Sequence, residues 1–202
     1  MPRISAPSIA EHVARQEAAI IEAAAELFAV HGVAGTDIGD IARAVGLARS
    51  SLYRYFPDKQ HILIRWFELE LVPVMARSRE ILEREAPVDE RLAAWLDYQL
   101  DEMATPEHDV LVRLGEEASA SSVEVRTAIV DGHIAMYRML GLAIDEALEA
   151  HRKKGAKRRD PVVVTQLLTG LVGAAGRAIH DGAEARTVRA ESHRCLRAVL
   201  DA

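Results

Sequence analysis

A chain of 202 residues suits one large or two small domains and is long enough to bury a core. Half of its residues are apolar and 28% are charged, as in an ordinary soluble globular protein, and only 4% are aromatic, which beside abundant Ala and Leu favours helices. The single cysteine, Cys195, excludes an internal disulfide framework and a multi-cysteine zinc site and fits a reducing cytoplasm, while the net charge of −6 at first argues against nucleic acid.

In chain order, residues 1–11 read as a frayed end, with Met1 to Ser8 polar and proline-broken and no apolar secretory run after them. The spacing of Ile20, Ala24, Leu27 and Phe28 predicts a first helix over 13–30, closed by Gly32 and Gly35. Thr36 reads as the N-cap of a second helix with the stripe Ile38, Ile41, Ala42, Val45. Gly46 breaks that pattern, and a short third helix is expected over 49–56. Pro57 stops it, Asp58 caps a fourth helix from Lys59, and a break is expected at Pro73.

Beyond Pro73 longer helices are predicted: 73–84, 88–103, 106–118, a long one ending near 153, 161–180 after the Asp160-Pro161 start, and 184–200. The basic run 152–159 reads as a solvated, mobile loop. No window approaches the roughly 20 apolar residues of a membrane span; the most apolar, 162–178, carries Thr165, Gln166, Thr169 and Arg177 and reads as a buried helix. The fold class is therefore all-α, with a boundary near 72 separating a domain over 12–72 from a second over 73–202.

Residues 37–56 have the layout of a helix-turn-helix: a helix, a glycine turn and a short helix whose outer face carries Arg49, Ser50, Ser51, Tyr53, Arg54 and Tyr55. Gly46 sits where the chain turns sharply, and glycine takes positive φ without steric cost. A second helix of this kind lies in the major groove of DNA and reads base edges from its N-terminal end. Arg49 stands there, and its fork suits the O6 and N7 acceptors of guanine. Ser50 and Ser51 are donors to phosphate or bases. Tyr53, Arg54, Tyr55 and Lys59 are placed to meet phosphates, with the Thr36 hydroxyl helping at the start of the second helix. From Arg43 to Arg65 there are five basic residues against one acidic, Asp58, in an otherwise acidic chain.

The stretch from Ile20 to Leu63 resembles the DNA-binding domain of the TetR family of regulators. Ala24, Phe28, Gly32, Thr36, Ile41-Ala42, Gly46, Leu52-Tyr53, Phe56, Lys59 and Ile62 carry the resemblance. It implies an N-terminal three-helix DNA-binding domain followed by a helical regulatory and dimerisation domain. It also implies that Thr36, Arg49, Ser50, Ser51, Tyr53, Tyr55 and Lys59 fall where the family contacts DNA. Two positions depart from the pattern: Ala48 stands where a Ser or Thr cap is frequent, and Ser50 replaces a frequent Gly.

The resemblance further implies a homodimer paired through its last two helices on a near-palindromic duplex operator. Gly170, Gly173, Ala174, Ala175 and Gly176 permit close helix approach, and Val188, Cys195, Leu196, Val199 and Leu200 give the last helix an apolar face. A small molecule among the middle helices would act by binding one head spacing better than the other. Candidate effector-lining residues are Trp66, Phe67, Trp95, Tyr98, Met103, Met136, Tyr137 and Leu140, which suit an apolar or aromatic ligand. Ordinary core packing is the competing reading for each of these.

Glu116-Glu117 read as exposed charges, or as groups to neutralise a cationic effector. No catalytic set, phosphate loop or His ligand spacing stands out, so neither an enzyme, a cofactor nor a metal is expected. The reading is thus a cytoplasmic repressor without membrane attachment, released by a small molecule. The alternatives are a regulator without a small ligand and a helical ligand-binding protein with an incidental motif.

Overall fold

The computed structural model describes residues 6–155 and 157–201. Among these the chain is all-helical: α1 (Ala6–His31), α2 (Ile38–Ala44), α3 (Arg49–Leu52), α4 (Lys59–Glu83), α5 (Val88–Met103), α6 (Pro106–Ser121), α7 (Val123–Ala150), α8 (Pro161–His180) and α9 (Ala185–Asp201). They pack into two compact units. One comprises the chain up to Leu71 with Val110–Val130, the other Val72–Asp109 with the chain from Asp131 on. The uninterrupted 73–202 stretch read from sequence is therefore divided by packing, because Leu114 and Ala118 of α6 and Val125 of α7 bury their side chains with the N-terminal helices.

The core of the first unit is built from helical stripes. Ile20, Ala24 and Phe28 of α1, Ile38 and Ile41 of α2, Leu52 of α3, and Ile62 and Leu63 of α4 meet with those α6 and α7 residues. Burying such a set gives most of the stability, since helices as short as α2 and α3 do not persist alone. The second unit collects Leu92, Leu96 and Leu100 of α5, Leu140 and Ile144 of α7, Leu168 and Val172 of α8, and Leu196 and Leu200 of α9.

Local chemistry accounts for most helix ends. Asp58 Oδ1 accepts from Gln60 N at 2.8 Å and His61 N at 3.0 Å, capping α4, and Asp160 Oδ1 accepts from Val162 N at 2.9 Å, capping α8. Several expectations need correction. Of the frayed end expected over residues 1–11, residues 1–5 lie outside the described residues, and from Ala6 the chain is helical. The N-cap of α2 is Asp37, not Thr36. Asp37 Oδ1 accepts from Gly39 N at 2.7 Å, and Asp40 Oδ2 accepts from Asp37 N at 3.3 Å, a reciprocal capping box. Helix α3 is regular only to Leu52, after which residues 53–55 continue as tight turns.

Helix α4 does not stop at Pro73, which lies inside it. Proline there removes one donor to the Leu69 carbonyl. Leu69 and Pro73 are both exposed, so water can supply the missing bond, and the unbroken register carries Ser78, Ile81 and Leu82 inward. In the basic run, Arg158 donates to Asp145 Oδ1 at 2.8 Å and Arg159 to the Val199 carbonyl, so these two residues are tied down.

Helix α8 differs most from its expected buried state. Its window is long and apolar enough, by length and composition alone, to cross a membrane, yet only 33% of it is buried. Val164, Leu168 and Val172 face the core, while Val162 and Leu167 remain 63% and 60% exposed. The α9 face is divided as well: Leu196 and Leu200 are consumed by the unit's own core, and Cys195 is exposed.

Candidate nucleic-acid interface

The interface begins with the turn between α2 and α3. Gly46 adopts φ +69°, a left-handed conformation, and a Cβ there would meet nothing within 4 Å, so the requirement is conformational and not spatial. The chain leaves this turn through Ala48, whose side chain offers α3 no cap. Two apolar pins hold the short helix: Leu52 is 0% exposed and Phe56 7%. Between and outside them, Arg49, Ser50, Tyr53 and Arg54 are exposed, and Ser51 and Tyr55 half-buried.

The exposed groups are mutually organised. Arg49 Nε and Nη2 donate to Tyr53 Oη at 3.4 and 3.3 Å, one helical turn on, and Arg49 Nη1 lies 3.9 Å from Asp37 Oδ1. The Tyr53 bond foremost, then the nearby Asp37, raises the Arg49 pKa above its ordinary value, so the guanidinium stays charged. Arg54 is exposed, and its guanidinium has no hydrogen-bond or ion-pair partner among the described residues.

The basic excess around this segment is smaller in space than in sequence. Arg43 pairs with Asp40 at 2.8 Å and Arg65 with Glu68 at 2.8 Å. Exposed pairs of this kind are worth about 0–1 kcal/mol, so a phosphate can displace the carboxylate at little cost. His61 sits between Asp58 at 2.9 Å and Glu124 at 3.4 Å. The bond to Asp58 foremost raises the His61 pKa. Burial alone would raise Asp58, but its bonds from His61 and Gln60 outweigh that and lower it.

Two expected contact residues lie elsewhere. Thr36 is 2% exposed, and its hydroxyl donates to the Gly32 carbonyl at 2.8 Å. Lys59 turns inward: its Nζ donates to the carbonyls of Val33 at 2.5 Å, Thr36 at 2.7 Å and Ala34 at 3.5 Å. With three protons and three acceptors, the ammonium is engaged by the α1–α2 turn.

The same turn is gripped from its other side by a residue that sequence reasoning misassigned. Glu117 of α6 accepts from Val33 N at 3.2 Å and Ala34 N at 2.7 Å. Arg113, one turn earlier, donates to the Ala29 carbonyl at 3.1 Å near the end of α1. Gly32, at φ +73°, would place a Cβ 3.0 Å from Glu117 Oε2, so only glycine fits both the turn and the approach. The sequence signal available was the glycine-rich turn itself, which leaves amides needing an acceptor.

The eight candidate effector residues belong to two units, two in the first and six in the second. Trp66 and Phe67 pack with the first unit's core and stack with ring centroids 5.6 Å apart; Trp66 Nε1 donates to Glu70 Oε1 at 2.9 Å. The other six belong to the second unit. Of these Met136 is buried, Met103 packs against Gly176, and Tyr137 is exposed beside His133. Tyr98 is half-buried, and burial foremost, with Glu102, pushes its pKa up to about 12. Trp95 and Leu140 line a small apolar cavity with Leu92, Leu96, Leu171 and Leu196. Trp95 is 3% exposed and its Nε1 has no acceptor, a state that costs about 1–3 kcal/mol.

The family model for bacterial regulatory proteins of the tetR family matches residues 20–65. The fatty acid metabolism regulator protein of Bacillus subtilis (strain 168) is 29% identical over 110 residues, 54% of this chain and 56% of that protein. The chain thus matches little more than half the length of that relative. Two solved structures share the fold. The fatty acid degradation regulator FadR from Bacillus halodurans has a TM-score of 0.73 and 20% identity over 92% of this chain and 94% of that one. The transcriptional regulator FadR from Bacillus subtilis, in complex with stearoyl-CoA, has a TM-score of 0.71 and 22% identity over 90% and 96%.

Proposed function

We propose, from the likeness of residues 20–65 to the TetR family of bacterial regulatory proteins, that the chain is a homodimeric DNA-binding transcriptional regulator, a repressor released from a near-palindromic operator by a small molecule. The observation that carries the reading is α3 itself. Leu52 and Phe56 pin it into the core, and Arg49, Ser50, Tyr53 and Arg54 stand outward on its free side, with Ser51 and Tyr55 at the margin. Arg49 and Ser50 serve base edges; Tyr53, Tyr55 and Arg54 serve phosphates and fix register. Its place of action is with the DNA, in the cytoplasm, and its chemistry is recognition and not turnover.

The second copy is read from α8. Val162, Val163 and Leu167 with Gly170 and Ala174 form an exposed apolar strip on a helix whose opposite side is already packed. A helix half-sunk in a protein core suits a partner helix better than lipid. Gly176 plays no part in this contact, because it faces Met103 within its own unit.

Selection from a random duplex pool, followed by titration, tests the function. The chain should enrich a two-fold sequence, and Arg49→Ala with Tyr53→Ala should abolish retention. Undiminished retention by that double variant refutes the reading. Leu167→Glu should give a monomer in sedimentation; an unchanged dimer would remove α8 from the interface.

A further inference from the structure

We propose that the Trp95 indole N–H anchors the effector, and that the effector is an uncharged, largely apolar molecule bearing one hydrogen-bond acceptor, such as a ketone or ester carbonyl. The inference deepens the effector-responsive reading above and rests on it. Among the described residues, Trp95 Nε1 is the buried side-chain polar atom left without a partner. Trp95 also lines a cavity in the second unit, whose other walls are leucine and valine side chains from α5, α7, α8 and α9.

A trapped water does not solve this arrangement. The space admits about one water-sized sphere, but a buried water needs two to four polar partners, and the lining residues carry a single side-chain polar atom, Trp95 Nε1. A single acceptor atom carried on an apolar body satisfies both the donor and the walls. A carboxylate does not fit, because no cation lines the cavity to compensate a buried charge. An ammonium group does not fit either, since it brings a charge and only donors to a donor. The open space of about 10 Å3 is far below the roughly 300 Å3 of a formed ligand site, so binding must widen the leucine walls around the acceptor.

The test uses 15N-labelled full-length protein without DNA, titrated with 2-heptanone and, separately, with its acceptor-free isostere 2-methyl-1-heptene. The indole N–H resonance of Trp95, identified by its loss in Trp95→Phe, should move downfield with the ketone and not with the alkene. The ketone should bind about tenfold more tightly than the alkene, the worth of one hydrogen bond to an otherwise unpaired donor. Trp95→Phe, which keeps an aromatic ring of smaller size and drops the N–H, should erase that preference. An unmoved resonance overturns the proposal, and so does equal affinity for both probes in the unsubstituted protein, a measurement that needs no variant to fold. Ketone binding at Trp95 that leaves duplex retention unchanged would support the anchor and sink effector release, so the two readings fail separately.

Discussion

The grip of Glu117 on the α1–α2 turn makes a quantitative prediction. Replacing Glu117 with Ala removes a carboxylate acceptor from two backbone N–H groups, Val33 at 3.2 Å and Ala34 at 2.7 Å. Hydrogen bonds to a charged group contribute about 1.5–3 kcal/mol each. Ala34 is exposed, so water replaces most of its bond, whereas Val33 is buried and its amide is left short of an acceptor. The net loss should be about 2 kcal/mol, close to one such bond. With an m-value of about 2 kcal/mol/M, the urea midpoint of the first unit should fall by about 1 M. Glu116, exposed on the same helix, is the internal control, and Glu116→Ala should change stability by less than about 0.5 kcal/mol. Amide exchange at Val33 and Ala34 should accelerate in Glu117→Ala alone. Gly32→Ala adds a cross-check. Its cost should fall in the Glu117→Ala background by the steric share of the 3.0 Å approach, leaving the left-handed backbone cost of about 1–2 kcal/mol. Equal midpoints for the two glutamate variants, with unchanged exchange at residues 33 and 34, would refute the clamp.

Other consequences follow from the same geometry. Lys59→Met keeps the stem but strands the carbonyls of Val33 and Thr36, and should cost about 2 kcal/mol in thermal unfolding; an unchanged Tm would return Lys59 to the phosphate-contact set. Arg54→Ala should weaken duplex binding evenly across sequences and reduce the salt slope by about one, read from titrations at several salt concentrations. The two histidines should act in opposite senses on stability against pH. His61 has a raised pKa, so its contribution is full below its ordinary value of 6.5 and is lost as pH rises through the folded value. The stability gap between the parent and His61→Gln should therefore shrink from pH about 6 to about 8. His108 is half-buried, and burial foremost lowers its pKa despite Asp109 and Glu102. It should cost stability as pH falls below 6.5 through its folded value, and His108→Gln should flatten that acid limb.

What the sequence disclosed follows from the range of the interactions involved. Gly46 shows its role locally, because a positive φ is a property of one residue and its neighbours. Leu52 and Phe56 show theirs by spacing, and Asp58 and Asp160 by reaching amides two or three residues on. Asp37 caps α2 in a box with Asp40, and Thr36 beside it carries the same local chemistry. The choice between them turned on Thr36 being drawn into the core, which no local rule states.

The misread residues share a different feature. Lys59 meets its carbonyls 23 to 26 positions away, and Glu117 meets its amides 83 and 84 positions away. A cation in a basic stretch and an acid in an acidic pair look solvated until the fold brings backbone groups to them. Apolar residues present the inverse difficulty. Periodicity marks Leu167 and Leu168 alike as helix-face leucines, yet Leu168 is consumed by the core and Leu167 is left 60% exposed. Trp95 and Trp66 likewise look equivalent as aromatic candidates. One finds Glu70 four residues on in its own helix, and the other, one stripe deeper among leucines, finds no acceptor. The unspent chemistry of this chain therefore lies where burial and pairing disagree, on the outward strip of α8 and at the Trp95 N–H, and both places are fixed by helices that meet only in three dimensions.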